Sequence, residues 1–256
     1  MPVVWFGVLG LAAAGAATPW VERLDNGLTA IVLEDHTLPL VSVQLWYRVG
    51  SADDDPQWPG LCHVARTILE HREQAASRLR AAGIRFESGT LPDACYFHSV
   101  LPPDFLRPVL ELEVRRASPL DVSPEMLADG LARAAAGGDA RTGQAQDRPD
   151  RCLLQAVFSN HPYRYPSTFV AARLQDLPTA RVNDFIRRWF VPGNATVLVV
   201  GDVSEKATLE LLREHFGALP WSQPGRRREV PSPPVDRVHV SVPGDRAGLY
   251  LSLIHI

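Results

Sequence analysis

The stretch that decides the fold is Pro59–Arg72, which reads Pro-Gly-Leu-Cys-His-Val-Ala-Arg-Thr-Ile-Leu-Glu-His-Arg. Apolar side chains recur along it at the spacing of one helix face, namely at Leu61, Val64, Ala65, Ile68 and Leu69. Polar side chains fall on the opposite side, at His63, Arg66, Thr67 and Glu70. The pattern predicts an amphipathic helix with one apolar and one polar face.

The polar face has the positions of a helical zinc site but not all of its residues. Such a site needs two histidines at i and i+4, with a carboxylate between them. His63 fills the first position, whereas Arg66 and Thr67 stand where the carboxylate and the second histidine belong. Arginine cannot accept a proton, and threonine is a poor zinc ligand. The helix is therefore predicted to occupy a metal-site position without the metal chemistry.

The neighbouring Glu70 and His71 do not restore the site. Moving the motif to end at His71 leaves Thr67 in the position of the first histidine. His63 and Glu70 share a face, but a rise of ~1.5 Å per residue puts them about 10.5 Å apart along a straight helix. Each ligand of one zinc ion must reach it at ~2 Å, so this pair fails.

Composition narrows the function classes. The chain is 46% hydrophobic and 21% charged, as is ordinary for a globular protein, and its net charge is -3. This net charge provides no excess of basic residues that would indicate binding to nucleic acid or to an anionic membrane. The cysteines Cys62, Cys95 and Cys152 show no C-x-x-C spacing and predict no disulfide framework. Cys62 is interpreted as an isolated thiol, since a nucleophile would need a base beside it and His63 points about 100° away.

The two ends of the chain differ from its middle. Residues 1–17 hold a short apolar run and then Ala14-Gly15-Ala16, which predicts a signal peptide and an exported, periplasmic or extracellular protein without a membrane span in the mature chain. An uncleaved anchor or a disordered leader is the alternative. We expect one domain over 18–221, a linker over 222–235 and the start of a truncated second domain over 236–256. The linker run Arg226-Arg227-Arg228 is interpreted as solvated charge.

Strands and helices alternate in clusters, which favours a mixed α+β architecture. A hairpin turn is predicted at Asp25-Asn26-Gly27. The predicted strands are Val21–Leu24, Thr29–Glu34, Val41–Tyr47, Ile84–Gly89, Cys95–Leu101, Ala195–Val200, Arg237–Val242 and Gly248–Leu253. The predicted further helices are Gln74–Ala82, Pro103–Ala117, one that opens at Ser123-Pro124 and fades at Gly137-Gly138, Asp150–Phe158, Val182–Phe190 and Glu205–Phe216.

Seven short landmarks occur in order from about Leu24 to Leu219. They are Leu24–Leu28, Val41–Ser51, Gly60–His63, Ala81–Gly83 with Tyr96, His161–Tyr163, Pro192–Ala195 and Val199–Asp202. Together they resemble the insulinase–pitrilysin family of zinc peptidases, which includes the mitochondrial processing peptidase. The resemblance implies a mainly antiparallel mixed sheet packed against several helices, forming one half of a clamshell around a chamber.

The resemblance also defines what is altered in the site. Active members carry His-x-x-Glu-His, in which the histidines bind zinc and the glutamate activates water. On this alignment the ligand positions hold His63 and Thr67, and the base position holds Arg66. We therefore assign no catalytic residue, and we do not assign His63 or Thr67 as metal ligands.

The family's third ligand is a glutamate on a later helix, upstream of the His-Pro-Tyr loop. No glutamate occurs between Glu125 and Glu205. Asp129 or Asp139 could replace it only if the helix register slipped.

In active relatives the strand after Ala-Ala-Gly carries Asn-Ala and pairs with the bound peptide. Glu87 and Ser88 stand there in this chain. Because backbone hydrogen bonds supply the affinity in such edge pairing, Phe86, Glu87, Ser88 and Gly89 are predicted to bind extended peptides.

The leading hypothesis is a non-catalytic homologue without a cofactor, since zinc belongs to the active members. It would be the regulatory or substrate-holding partner of a catalytic homologous subunit in a hetero-oligomer. One alternative is an active zinc metalloendopeptidase with an atypical site, and another is an exported binding module without a peptidase partner. No nucleic-acid partner is expected.

Overall fold

The computed structural model describes residues 18–72, 79–142, 156, 158, 162–164 and 174–227, with side chains of 137–142 left aside. Its strands are β1 (Trp20–Arg23), β2 (Thr29–Glu34), β3 (Val41–Tyr47), β4 (Arg85–Thr90), β5 (Cys95–Leu101) and β6 (Ala195–Gly201). Its longer helices are α1 (Leu61–His71), α2 (Leu106–Ala117), α3 (Pro124–Thr142), α4 (Thr179–Trp189) and α5 (Glu205–Phe216).

The six strands form one sheet in the order β1-β2-β6-β3-β5-β4. β2 and β6 run parallel, and every other neighbouring pair is antiparallel. The β1–β2 hairpin turns where the sequence predicts it, and Gly27 adopts a left-handed φ of 87° there. The predicted fold class, a mixed and mainly antiparallel sheet packed against helices, is confirmed.

One face of the sheet carries the core. Burial alternates along β3, β5 and β6, so that every second side chain is fully enclosed while the others stay half-buried. The half-buried face carries polar and aromatic groups, among which Trp46 stacks on Tyr96 at a centroid distance of 4.8 Å. Helices cover the apolar face, and this side brings α1 next to β4.

α1 is buried on more sides than an amphipathic pattern predicts. Its apolar residues lie in the core as expected, but Arg66 and Thr67 from the predicted polar face are also buried. The reason is that α3 packs along α1 on one side and β4 lies on another. A Cβ on Gly130 of α3 would come within 2.4 Å of Ile68 Cγ1, which measures how closely the two helices approach.

Several predictions differ from the structure or fall outside it. α3 does not fade at Gly137-Gly138 but continues to Thr142, because two glycines weaken a helix without ending it. The predicted strands at 237–242 and 248–253, the leader at 1–17, and most of the predicted helices at 74–82 and 150–158 lie outside the described residues. Among the described helices, none combines the length and apolarity that a bilayer crossing requires.

Candidate functional site

A buried carboxylate fixes the start of α1. The Asp54 side chain accepts hydrogen bonds from the backbone N–H groups of Gly60, at 2.6 Å, and Cys62, at 2.7 Å. A helix leaves its first N–H groups without internal partners, so Asp54 acts as their cap. Burial raises the pKa of Asp54 to about 7, although the two N–H donors oppose this shift. The cap sets where His63, on the first turn, stands.

The residues His63, Arg66 and Thr67 lie on the first two turns of α1. His63 is half-buried, whereas Arg66 is 7% exposed and Thr67 is 3% exposed. The Thr67 hydroxyl donates to the backbone carbonyl of His63 at 2.9 Å and accepts from the Arg66 guanidinium at 3.0 Å. The hydroxyl at the second ligand position is thereby engaged within its own helix.

Arg66 links α1 to the edge strand β4. Its guanidinium donates to the Glu70 carboxylate at 2.6 Å and to the Ser88 hydroxyl. The Ser88 hydroxyl in turn donates to the same Glu70 oxygen, at 2.7 Å. These three side chains, which we call the Arg66 triad, fill the place where family members need a general base.

The Arg66 triad is partly shielded from water. The Arg66 and Glu70 side chains are 9% and 17% exposed, and Arg80 approaches the other Glu70 oxygen at 3.7 Å. Burial disfavours ionised Glu70, but the charge of Arg66 and the Ser88 hydroxyl outweigh it and hold the pKa of Glu70 below its usual value. Glu70 is therefore an ionised partner of Arg66 at neutral pH and is not poised to take a proton.

The acidic residues considered as substitute ligands do not join this site. Asp129, on α3, is about half exposed and bonds Arg133 at 2.7 Å, which lowers its pKa. The side chain of Asp139 lies outside the described residues. Across the part of the chain that the structure describes, no three His, Cys, Asp or Glu side chains are grouped as a metal would require.

The predicted peptide-binding residues lie on β4, which forms one edge of the sheet and pairs with β5 only, as far as the described strands show. Phe86 lies beneath the guanidinium groups of Arg80 and Arg116. On the other face Glu87 bonds His98 at 2.7 Å. A Cβ on Gly89 would strike the ring of Tyr96 opposite it, so this position requires the smallest residue.

Arg227, in the predicted linker, makes side-chain contacts that its interpretation as solvated charge did not include. Arg227 donates to the backbone carbonyl of Asp93 at 2.6 Å, and its guanidinium also lies within 3.4 Å of the carboxylates of Asp53 and Asp93. The Tyr163 hydroxyl donates to Asp93 as well. These groups line a cleft of about 570 Å³ beside the start of α1. His161 lies outside the described residues.

Two contacts were not predicted from the sequence, one between Cys62 and Cys95 and one between Arg66 and Ser88. Cys62 is not isolated, since its sulfur lies 3.2 Å from that of Cys95, and both side chains are fully enclosed. Burial raises the pKa of the Cys62 thiol. The Arg66–Glu70 bond follows from their i, i+4 spacing, but the Ser88 contact spans 22 positions and has no local signal.

A family profile described as "Peptidase M16 inactive domain" matches residues 176–252. An uncharacterised zinc protease of Mycobacterium tuberculosis is 25% identical over 241 residues, covering 89% of this chain and 53% of the relative. The probable zinc protease PqqL of Escherichia coli is 23% identical, covering 90% of this chain and 27% of its own. This chain thus spans about half, or less, of the relatives that it matches.

Solved structures share the fold at lower identity. The first half of the periplasmic protease PqqL from Escherichia coli superposes with a TM-score of 0.75 at 19% identity, covering 85% of this chain and 50% of that one. Pitrilysin superposes with a TM-score of 0.74 at 18% identity, covering 87% of this chain and 25% of that one. Both similarities bear on architecture alone.

Proposed function

This chain belongs to the insulinase–pitrilysin family of zinc peptidases, and we propose that it is a non-catalytic member that holds extended peptides for a catalytic homologous subunit. One observation carries the proposal. Arg66 occupies the general-base position and is committed there to Glu70 and Ser88. A guanidinium has no lone pair to accept a proton, so this helix cannot activate water in the family's manner.

The residues present do not fit the family's zinc ion. Thr67 stands at the second ligand position with its hydroxyl bonded to its own helix and to Arg66. The positive charge of Arg66 beside it would also repel a divalent cation. The proposed function therefore includes neither zinc nor another cofactor.

Peptide holding is supported by the open edge of β4. An edge strand presents unpaired N–H and C=O groups, and an extended peptide can satisfy them by adding a strand. The Arg66 triad braces β4 from the α1 side through Ser88. An edge held in a fixed position loses less conformational entropy when a peptide pairs with it.

Zinc content tests the proposal that the chain is non-catalytic. We expect purified protein to hold far less than one zinc per chain, and Ala in place of His63 should leave this content unchanged. The double variant Arg66→Glu/Thr67→His should gain zinc affinity measurable by titration calorimetry, because it supplies an imidazole and a carboxylate. Stoichiometric zinc that disappears in His63→Ala would instead favour the atypical active metallopeptidase.

Backbone pairing at β4 can be tested without changing the protein. Two versions of one bound peptide would be N-methylated at alternate amides, either the odd or the even ones. Because alternate amides of a strand point to the same neighbour, one version should lose at least tenfold in affinity by fluorescence anisotropy and the other should keep it. Equal loss in both versions would contradict strand addition.

The proposed association with a catalytic homologous subunit needs a separate experiment. The chain would be co-expressed with an active homologue encoded nearby and purified through a tag on one of them. We expect the two to co-purify and the peptidase activity of the homologue to rise. Absence of both effects would favour a binding module that works without a peptidase partner.

A further inference from the structure

We propose that Cys62 and Cys95 form a disulfide that fastens α1 to β5 when the chain folds in an oxidising compartment. The inference is independent of the proposed function, since it concerns two side chains outside the Arg66 triad. Their sulfurs lie 3.2 Å apart, although the residues are 33 positions apart in sequence. A disulfide closes at ~2.05 Å, so the two sulfurs must approach by about 1.2 Å.

The surroundings of the pair favour a structural bond over a reactive one. Both side chains are fully enclosed, Cys62 at the first turn of α1 and Cys95 at the first residue of β5. The backbone of Cys62 is held by Asp54, and Cys95 sits in register between Tyr47 and Thr90. The backbones of both cysteines are therefore held in place by other contacts. Because both side chains are fully enclosed, an oxidant could not reach the sulfurs of the folded chain. The bond must form while the chain folds.

The chemistry is thiol–disulfide exchange with a small-molecule or protein disulfide, R–S–S–R. One thiolate attacks it, forms a mixed disulfide and releases one R–S⁻. The second thiolate then attacks the protein sulfur of that mixed disulfide, closes Cys62–Cys95 and releases the other R–S⁻. The two protons lost by the cysteines appear on two R–SH molecules, so the protein is oxidised by two electrons and R–S–S–R is reduced.

Mass spectrometry on the full chain tests the bond. The protein would be refolded with oxidised glutathione, or exported, and digested with trypsin without reduction. Trypsin cuts after Arg but not before Pro, so Cys62 falls in the peptide 49–66 and Cys95 in the peptide 86–115. We expect these two peptides joined, at a mass two hydrogens below their sum. Cys152→Ser should retain this species, whereas Cys62→Ser and Cys95→Ser should lose it.

Thermal unfolding of the same samples supplies a readout that does not depend on the variants folding well. The bond closes a loop of about 34 residues, so wild-type protein that is unfolded, reduced and refolded with a reductant should have a Tm roughly 10 °C lower than the oxidised protein. Cys152→Ser should show the same decrease on reduction. Free alkylation of both Cys62 and Cys95 in the oxidised, denatured protein would overturn the proposal, and so would a disulfide between Cys152 and either of them.

Discussion

At the residue scale, burial separates two arginines that look alike in sequence. Arg66 and Arg133 each pair with a carboxylate one helical turn away, at 2.6 Å and 2.7 Å. The Arg133 pair is about half exposed, so water and salt screen it. The Arg66 pair is largely enclosed and shares Glu70 with Ser88. The same spacing therefore gives a surface ion pair in one case and a structural junction in the other.

Replacing Arg66 with Met should lower the free energy of unfolding by about 2 kcal/mol, because Glu70 would stay buried with fewer partners. Arg133→Met is the matched control and should change it by less than about 0.5 kcal/mol. Urea denaturation of both variants measures the difference. Equal effects would mean that Arg66 contributes no more than a surface pair.

The pH dependence of stability should report Asp54. Its pKa is raised to about 7 in the folded chain, against about 3.9 when unfolded. The folded chain thus keeps a proton that the unfolded chain has released, so this stabilisation is complete below pH 4 and is lost as pH rises towards 7.

Asp54→Asn cannot titrate, so the stability of wild type relative to this variant should fall between about pH 4 and 7 and stay level above it. Urea denaturation across that range provides the measurement. A difference that grows with pH would mean that the two backbone donors favour the carboxylate more strongly than burial disfavours it. The variant should also lose about 1 kcal/mol at every pH, because an amide offers one acceptor oxygen where the cap uses two.

At the element scale, local patterns predicted most of the described secondary structure. β2, β3, β5 and α5 have the predicted bounds, since alternation and helical spacing are properties of neighbouring residues. The surroundings of α1 were not predictable in this way. Whether its polar side meets water depends on α3 and β4, which follow it in the chain. The Ser88 and Cys95 contacts were missed for the same reason.

Adding a single methyl group at the α1–α3 contact should change the stability of the protein. Gly130→Ala would place a Cβ 2.4 Å from Ile68 Cγ1, so we expect a loss of about 1–2 kcal/mol in the free energy of unfolding. In an Ile68→Ala background the obstructing atom is gone, and the same change should gain up to about 1 kcal/mol from helix propensity. Thermal and urea denaturation of the wild type, the two single variants and the double variant would show this reversal in the sign of the Gly130→Ala effect. Additive losses of stability in the double variant would contradict the close packing.

At the scale of the whole molecule, Arg227 attaches the segment after α5 to two loops that are distant in sequence. It reaches the loop before α1 through Asp53 and the β4–β5 turn through Asp93. Composition could not predict this, because a Pro- and Arg-rich stretch is usually solvated. These contacts keep Arg227 beside the start of α1.

Arg227→Ala should release this attachment locally. Hydrogen exchange at residues 222–227 should become roughly twofold to fivefold faster, as expected for losing exposed ion pairs worth up to ~1 kcal/mol. Arg213→Ala removes a similarly exposed arginine, bonded to Glu22 on β1, and should leave that segment unchanged. If both variants exchange alike, the Arg227 contacts do not hold residues 222–227 in place.

The position of β6 has a consequence for synthesis. It is the last described strand in the chain, yet it lies in the middle of the sheet between β2 and β3. Until residues 195–201 emerge from the ribosome, β2 and β3 each present a bare edge separated by the width of one missing strand. A nascent chain paused before Ala195 would expose these two edges to pairing with strands of other chains. We therefore expect chaperone binding to be greatest at that point of translation.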